Sequence, residues 1–160
     1  MKVCVLMGSP RKNGNTAAIL APFCEELRKA GAEVETVWLY DREIRPCVAC
    51  RNCQKDWTVF GCVQDDDGQE LFEMIDACDL LVLDDLGMEF DTPFSRACLY
   101  NVLNARLLEG RPTVVSTNLS FSALQERYGD QIASRISGGF VPLLCVGKDI
   151  RQIIRRQSMG

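Results

Sequence analysis

Short apolar runs alternate with longer stretches of helical spacing along most of this chain. The runs that predict strands are residues 2–7, 32–39, 79–84, 111–118 and 140–146. Recurring apolar positions between and after them predict helices over residues 16–31, 67–78, 92–110, 122–129, 130–138 and 149–157. Strand–helix alternation of this kind indicates one α/β domain over residues 1–160, with a doubly wound, three-layer, five-stranded parallel sheet.

Two of these elements carry more detailed expectations. The first helix has an apolar stripe that should face the core, made of Ile19, Leu20, Phe23, Leu27 and Ala30. The last predicted strand contains Pro142, which favours an edge position because proline cannot donate a backbone hydrogen bond.

The composition excludes several classes of function. The chain has 160 residues and a formal net charge of −4, so we expect no nucleic-acid partner and no membrane association. It contains no His, which excludes His-based catalysis and the zinc sites that use His. Nine Cys residues without an export signal favour reduced thiols and a cytoplasmic location.

The segment GSPRKNGNT, residues 8–16, follows the first strand and opens the first helix. Backbone N–H groups and the helix dipole make such a junction an anion site, and a phosphate monoester is the natural ligand. Ser9, Asn15 and Thr16 add neutral donors there, while Arg11 and Lys12 add positive charge. A polar turn that merely caps the helix is the alternative.

This segment is not the phosphate-binding loop of the P-loop ATPases, whose pattern is G-x-x-x-x-G-K-[ST]. Here five residues separate Gly8 from Gly14, and Asn15 stands where that pattern has Lys. The Lys that reaches the β- and γ-phosphates is therefore missing, and we expect no ATPase activity.

The segment GSPRKNGNT does resemble the flavin phosphate loop of the flavodoxin-like NAD(P)H-dependent FMN reductases. The resemblance continues through AAILAPFCEELRKAGAEVETVWLYDREIRPCVACRNC to GCVQDDDGQELFEMIDACDLLVL, and so covers residues 1–83. It implies an FMN phosphate surrounded by Ser9, Arg11, Asn13, Asn15 and Thr16.

Four cysteines, Cys47, Cys50, Cys53 and Cys62, have the spacing C-x2-C-x2-C-x8-C. Compact spacing lets thiolates converge on an iron–sulfur cluster, and four thiolates also suit zinc. The pattern resembles that of the iron–sulfur flavoproteins, a branch of the same reductase family, although the last gap is longer than is usual there. Reduced cysteines in a loop are the remaining alternative.

The stretch LLVLDDLGMEF, residues 80–90, departs from the reductase pattern, because that family has a small-residue–Pro–aromatic turn here that cradles the flavin ring. From residue 80 to 156 the chain instead resembles the second half of the DnaC-type helicase loaders, which are AAA+ ATPases. The resemblance implies a Walker B carboxylate at Asp84, a water-activating acid at Asp85, sensor 1 at Asn118, an arginine finger at Arg135 and sensor 2 at Arg151.

The two resemblances together predict a chimera, joined by design, of a flavodoxin-like half (1–83) and an AAA+ P-loop-like half (84–160). Flavodoxin-like sheets have the strand order 2-1-3-4-5, whereas the resemblance to the loaders implies 2-3-4-1-5. We expect 2-1-3-4-5, because the first two strands and the first helix come from the flavodoxin-like half.

The expected function follows from what each half lacks. We expect weak binding of FMN or phosphate at the loop, with little or no NAD(P)H:flavin reductase activity. The alternatives are an active reductase-like flavoprotein, a hybrid scaffold without catalysis, and a nucleotide-binding AAA+-like module without a Walker A loop. The cofactor expectations are FMN and, second to it, an iron–sulfur cluster. The sequence does not predict the oligomeric state.

Overall fold

Four of the apolar runs form parallel strands in the computed structural model, which describes residues 1–55 and 62–145. The strands are β1 (Lys2–Met7), β2 (Glu33–Trp38), β3 (Leu80–Leu86) and β4 (Thr113–Thr117). The helices are α1 (Asn15–Lys29), α2 (Gly68–Ala77), α3 (Pro93–Leu108) and α4 (Phe121–Gly139). The parallel α/β class predicted from the sequence is therefore confirmed.

The sheet has the order β2-β1-β3-β4. Its registers begin at Lys2↔Glu33 for β1 and β2, at Val3↔Leu80 for β1 and β3, and at Leu81↔Thr113 for β3 and β4. Because β1 lies between β2 and β3, the first four strands follow the flavodoxin-like order that the sequence favoured. The rival order is wrong, since it would separate β1 from β3 and place β1 beside β4.

The predicted fifth strand is wrong for the part of residues 140–146 that the structure describes. Residues 140–145 have no regular secondary structure, and Val141, Leu143 and Leu144 are 85–88% exposed. Pro142 supplies no N–H to a sheet ladder, and a short apolar run does not by itself distinguish a strand from other structure. The described sheet therefore has four strands and not five.

Alternating residues of the strands form two apolar clusters, one on each face of the sheet. Val3, Val5 and Met7 pack against α1 through Leu20 and Cys24. The other face of β1 and β3 packs against α2 and α3, in a cluster of Cys4, Leu6, Val37, Leu71, Cys78 and Leu81 with Val102 beside it. The sheet is thus covered on both faces, which gives the three layers that the sequence predicted.

The core-facing stripe of α1 includes Leu20 and Leu27, as predicted, but differs from the prediction at its other positions. Leu20 and Cys24 are buried, whereas Ile19 is 56% exposed and Phe23 is 38% exposed. The residues that pack on the sheet therefore follow the spacing 17, 20, 24 and 27. This arrangement keeps the helical period but rotates the helix relative to the predicted face.

The remaining helices agree with the sequence in type. Thr92 and Ser95 form a reciprocal capping box at the start of α3. The two short helices predicted over 122–138 are confirmed, because the helical stretch α4 is interrupted at Gly129, whose φ of +80° and ψ of 171° are not helical and suit glycine. The helix predicted over 149–157 lies outside the described residues. Among the helices that the structure describes, none is long and apolar enough to cross a membrane.

Candidate functional site: a phosphate-type loop at the switch point of the sheet

The loop between β1 and α1 lies where the strand order reverses direction. From β1 the chain first runs outward to β2, and it then returns to β3 on the other side of β1. Open α/β sheets bind their ligands in the crevice at this point, outside the carboxyl ends of the strands. The topology therefore places the predicted phosphate loop at the ligand-binding position of the fold.

The amino end of α1 is open to an anion. Gly14 is the residue before the helix, has extended backbone angles, and provides no side-chain hydrogen bond to the first turn. The first turn also contains no acidic residue that would repel a negative ligand. Its N–H groups, which lack partners within the helix, can therefore bind a phosphate.

Gly8 fixes this loop against the end of β3. A Cβ atom added at Gly8 would lie 2.6 Å from the carbonyl oxygen of Asp84 and 3.6 Å from the Cβ of Asp85. The close approach is therefore possible only for glycine, and it forms one wall of the crevice. A Cβ at Gly14 would lie 3.2 Å from the carbonyl oxygen of Arg11, so the loop is also tight at its other end.

The side chains of the loop differ in exposure and in partners. Ser9, Asn15 and Thr16 are half-buried, and Arg11 and Asn13 are exposed. The Ser9 hydroxyl accepts a hydrogen bond from the N–H of Arg11 at 3.3 Å. All five residues that the resemblance assigned to the phosphate are thus in one short loop at the switch point.

The two cations of the loop are not equivalent. Lys12 Nζ forms an ion pair with Asp41 at 2.5 Å and lies 5.9 Å from the ring centre of Trp38. The Arg11 side chain forms no hydrogen bond or ion pair with another described residue. Arg11 is therefore the cation of the loop that is available to a phosphate.

Asp84 and Asp85 stand at the same edge of the sheet. Asp84 is 7% exposed, and its Oδ1 accepts a hydrogen bond from Ser116 Oγ at 2.8 Å. Its Oδ2 is buried and has no hydrogen-bond partner among the described residues. Asp85 has a φ of +64°, at an irregularity in the pairing of β3 with β4, and its N–H donates to Ser116 Oγ at 2.9 Å.

The other residues assigned by resemblance to an ATPase site are dispersed. Asn118 follows β4 at the carboxyl edge of the sheet and is exposed. Arg135 is held within the chain, because its guanidinium lies 4.7 Å from the ring centre of Tyr100 and donates to the Tyr100 hydroxyl at 2.7 Å. Arg151 lies outside the described residues. The structure thus brings Asp84, Asp85 and Asn118 to one edge, and it places Arg135 in the contact between α3 and α4.

Sequence reasoning missed two contributors to this edge. Ser116 joins β4 to Asp84 and Asp85; the only sequence signal was a polar residue within an apolar strand. Glu89, in the segment after β3, accepts hydrogen bonds from the Tyr128 hydroxyl and, at 2.9 Å, from the N–H of Gly87. Burial raises the pKa of Glu89, but these hydrogen bonds and the charge of Arg127 outweigh it and lower the pKa below its usual value.

The segment that carries four cysteines is attached to the start of α2 by two aspartates. Asp66 accepts the N–H groups of Arg45 at 2.7 Å and Gly68 at 2.9 Å, which lowers its pKa. Asp67 accepts the N–H of Glu43 at 2.8 Å. These bonds fix both ends of the segment, although part of it, residues 56–61, lies outside the described residues.

The thiols of this segment do not form a metal site in the structure. Cys47 Sγ accepts the N–H of Ala49, and Cys62 Sγ accepts the N–H of Gln64, each at 3.4 Å. However, no three Cys, Asp or Glu side chains within residues 1–55 and 62–145 come together in a way that could hold a metal ion. The expectation of an iron–sulfur cluster is therefore not confirmed by the described residues.

The strand order defines a flavodoxin-like α/β protein, and the loop between β1 and α1 lies at the switch point of its sheet. The sequence profile of the NADPH-dependent FMN reductases matches residues 1–84 of the chain. The chain belongs to this family, and the resemblance seen in the sequence is confirmed.

Curated relatives match the same part of the chain. It is 36% identical over 84 residues to an iron–sulfur flavoprotein of Methanosarcina thermophila, covering 52% of this chain and 42% of that protein. It is 36% identical over 83 residues to an iron–sulfur flavoprotein of Archaeoglobus fulgidus, covering 52% of this chain and 36% of that one. The chain thus matches about two fifths of the length of these relatives.

The solved structures that resemble the chain come from another group of proteins. A DnaI crystal structure aligns with 89% of this chain and 72% of its own, at a TM-score of 0.56 and 22% identity. A DnaC helicase loader aligns with 88% of this chain and 76% of its own, at a TM-score of 0.53 and 21% identity. At this identity the likeness concerns the fold alone, and it extends over both halves of the chain.

Proposed function

We propose that the loop of residues 8–16 binds the phosphate of FMN or of a related monoester, with low affinity and with little or no reductase activity. The observation that carries this proposal is the open amino end of α1 at the switch point, held against β3 by Gly8. The residues that would surround the phosphate are Ser9, Arg11, Asn13, Asn15 and Thr16. A bound flavin would supply a ring able to accept a hydride.

Two features of the described structure support a low affinity. The unpartnered Oδ2 of Asp84 places an acidic group at the edge where a phosphate would bind. The segment after β3 also leaves Met88 64% exposed and Phe90 93% exposed, so these side chains do not form an enclosed apolar slot for a flavin ring. Phosphate contacts would then provide most of the binding energy.

We further propose that the chain is a hybrid within one domain, in which residues 1–83 derive from a flavodoxin-like protein and residues 84–160 from a P-loop-like one. The family match that ends at residue 84 supports this division, and the fold likeness to the helicase loaders, which spans both halves, agrees with a single domain. An engineered junction accounts for the change of pattern within β3. The residues assigned to ATP hydrolysis would then be vestigial, since the loop lacks the required Lys.

The proposed binding can be tested by titrating the purified protein with FMN and following the flavin fluorescence. Riboflavin, which lacks the phosphate, should bind at least about tenfold more weakly, because the loop recognises an anion. The double variant Arg11→Ala, Thr16→Ala should weaken FMN binding, whereas Arg28→Ala, at the far end of α1, should leave it unchanged. Equal affinities of the double variant and the parent would refute the assignment.

The same protein can be used to test the two remaining functions. An NADPH oxidation assay with FMN measures any reductase activity, and a turnover typical of enzymes, about 10 s⁻¹, would contradict the proposal. Thermal stabilisation by Mg·ATP beyond that given by inorganic phosphate would instead favour a nucleotide-binding module.

A further inference from the structure

A cluster of reactive and charged side chains lies at the amino edge of the sheet, opposite the phosphate-type loop. Cys78 follows α2 and immediately precedes β3, and it is 4% exposed. Its Sγ lies 3.5 Å from Nη1 of Arg106, a residue of α3 that is itself 4% exposed. A buried guanidinium thus faces a buried sulfur, in a region that no part of the proposed flavin function uses.

Cys4, a residue of β1, lies in the same apolar cluster as Cys78. It is 2% exposed, and the two thiols are within hydrogen-bonding reach of each other. Both cysteines line a cavity of about 130 Å³ whose mouth includes Lys2 and Glu35. Cys78 also borders an open cleft of about 440 Å³ beside Arg111. Cys78 therefore borders both the cavity and the cleft.

The Cys78 thiol donates to the carbonyl oxygen of Ile75 at 3.3 Å, but its other contacts together lower its pKa. The hydrogen bond from the Cys4 thiol lowers the pKa of Cys78 first, and the charge of Arg106 adds to this against the opposing effect of burial. The pKa of Cys4 is raised by the same contact and by burial, so Cys4 stays a thiol. The pair thus combines a nucleophilic sulfur with a protonated partner, which is the arrangement of an attacking and a resolving cysteine.

We propose that Cys78 is a peroxide-reactive cysteine and that Cys4 resolves its oxidised form as a disulfide. In the first step the Cys78 thiolate attacks one oxygen of a hydroperoxide; an S–O bond forms, the O–O bond breaks, and the leaving hydroxide or alkoxide takes up a proton. Cys78 is then a sulfenic acid. In the second step Cys4 sulfur attacks Cys78 sulfur; an S–S bond forms, the S–O bond breaks, and the hydroxyl leaves as water with the Cys4 proton. The two thiols give up two electrons, and the hydroperoxide is reduced.

Other described cysteines lack this combination. Cys24 is buried, and burial raises its pKa despite the nearby charge of Arg28. Burial likewise raises the pKa of Cys98, and the neighbouring Cys47 and Cys53 add to this effect. We therefore expect Cys78 to be oxidised faster than either of them.

Peptide mapping after treatment with hydrogen peroxide tests the proposal in the full chain. The Cys62→Ser background is used, because Cys62 and Cys78 otherwise fall in one tryptic peptide, between Lys55 and Arg96. After rapid alkylation we expect a cross-linked pair of the peptides 3–11 and 56–96, together with loss of free Cys78 about tenfold faster than loss of free Cys24. Loss of Cys78 no faster than that of Cys24 would overturn the proposal.

Two variants separate the roles of the partners. In Cys4→Ser, we expect no cross-link and trapping of a Cys78 sulfenic acid by dimedone; absence of the dimedone adduct would overturn the first step. In Arg106→Met, the rate of Cys78 oxidation should fall about tenfold, whereas Arg106→Lys, which keeps the charge, should retain most of it. If Arg106→Met fails to fold, the Cys4→Ser result decides alone. Cys24→Ser is the matched control and should leave both the rate and the cross-link unchanged.

Discussion

Gly8 and Asp84 touch across the crevice at the carboxyl edge of the sheet. A Cβ atom added to Gly8 would lie only 2.6 Å from the carbonyl oxygen of Asp84. Backbone therefore meets backbone at the point where β1 and β3 end, and no flexible side chain can move aside. This contact couples the shape of the phosphate-type loop to the end of β3.

The first prediction concerns this contact. Gly8→Ala should lower the free energy of unfolding by about 1–3 kcal/mol, because the new methyl group overlaps a backbone oxygen. It should also weaken FMN binding, since the loop must move away from β3. Urea unfolding and a flavin titration measure the two effects. Gly138→Ala is the matched control, because a Cβ there meets nothing within 4 Å; it should leave FMN binding unchanged and should not lower the free energy of unfolding.

The second prediction concerns the charge of Asp84. Asp84→Asn should strengthen FMN binding about fivefold, because it removes about 1 kcal/mol of repulsion of the phosphate. The asparagine can still accept the hydrogen bond of Ser116. Asp76→Asn makes the same charge change on an exposed residue before β3, at the opposite edge, and should have no effect. A weaker affinity in Asp84→Asn, seen only with Mg²⁺ present, would show that the carboxylate holds a cation and does not repel the ligand.

The third prediction concerns Arg106, which joins α3 to the amino edge of the sheet. Its guanidinium donates to the carbonyl oxygens of Ile75, Cys78, Asp79 and Pro112 and to Thr113 Oγ1, at 3.0–3.2 Å. Arg106→Met should lower the free energy of unfolding by about 3 kcal/mol, because several buried carbonyl groups lose their donors. Lysine has fewer donors than arginine, so the free energy of unfolding of Arg106→Lys should lie between those of Arg106→Met and the parent.

Urea unfolding measures the effect at Arg106, and Arg28→Met is a suitable control. Arg28 is exposed and makes one long hydrogen bond, of 3.4 Å, to the carbonyl oxygen of Val34. We expect its replacement to change the free energy of unfolding by less than about 0.5 kcal/mol. Equal effects at the two arginines would show that the buried hydrogen bonds of Arg106 do not stabilise the fold.

The fourth prediction concerns the pH dependence set by Glu89. Its pKa is lowered in the folded protein, so its contribution to stability is present above its unfolded pKa and is lost as the pH falls through the folded value. Tyr128→Phe removes one of the hydrogen bonds that lower this pKa. The pKa of Glu89 should therefore rise in the variant, and the loss of stability should begin at a higher pH.

Carboxyl NMR of Glu89 and unfolding at several pH values measure this change. The difference in stability between the parent and Tyr128→Phe should be larger at pH 7 than at a pH below the lowered pKa of Glu89, where the carboxyl group is protonated in both. Tyr40→Phe is the control, because Tyr40 is 70% exposed. If the difference in stability stays constant with pH, the Tyr128 hydroxyl stabilises the fold independently of the charge of Glu89.

The sequence predicted those parts of the fold and site that depend on local pattern. The strand–loop–helix order around residues 8–16 is visible in the chain itself, so both the loop and its place at the strand end could be predicted. The apolar residues of 140–146 show no periodicity that distinguishes a strand from other structure, and the strand predicted there was wrong. The rotation of α1 was missed because packing against β1 decides which of two adjacent apolar stripes is buried.

Such patterns did not predict contacts between residues that are far apart in the sequence. Ser116 meets Asp84 across neighbouring strands, and 32 positions separate the two residues in the chain. Cys4 and Cys78 likewise come into one apolar cluster only when the chain folds. Spacing along the chain gave no signal for either pair, whereas the strand order makes both of them necessary.

The position of β4 at the outside of the described sheet has a consequence for how this fold can grow. A strand at an edge presents unpaired backbone groups, and another strand can add to it without displacing any existing neighbour. The switch point lies between β1 and β3, one strand further in. A strand added beyond β4, by recombination or in the laboratory, would therefore leave the ligand crevice intact. New segments can be inserted at this edge without changing the residues around the switch point.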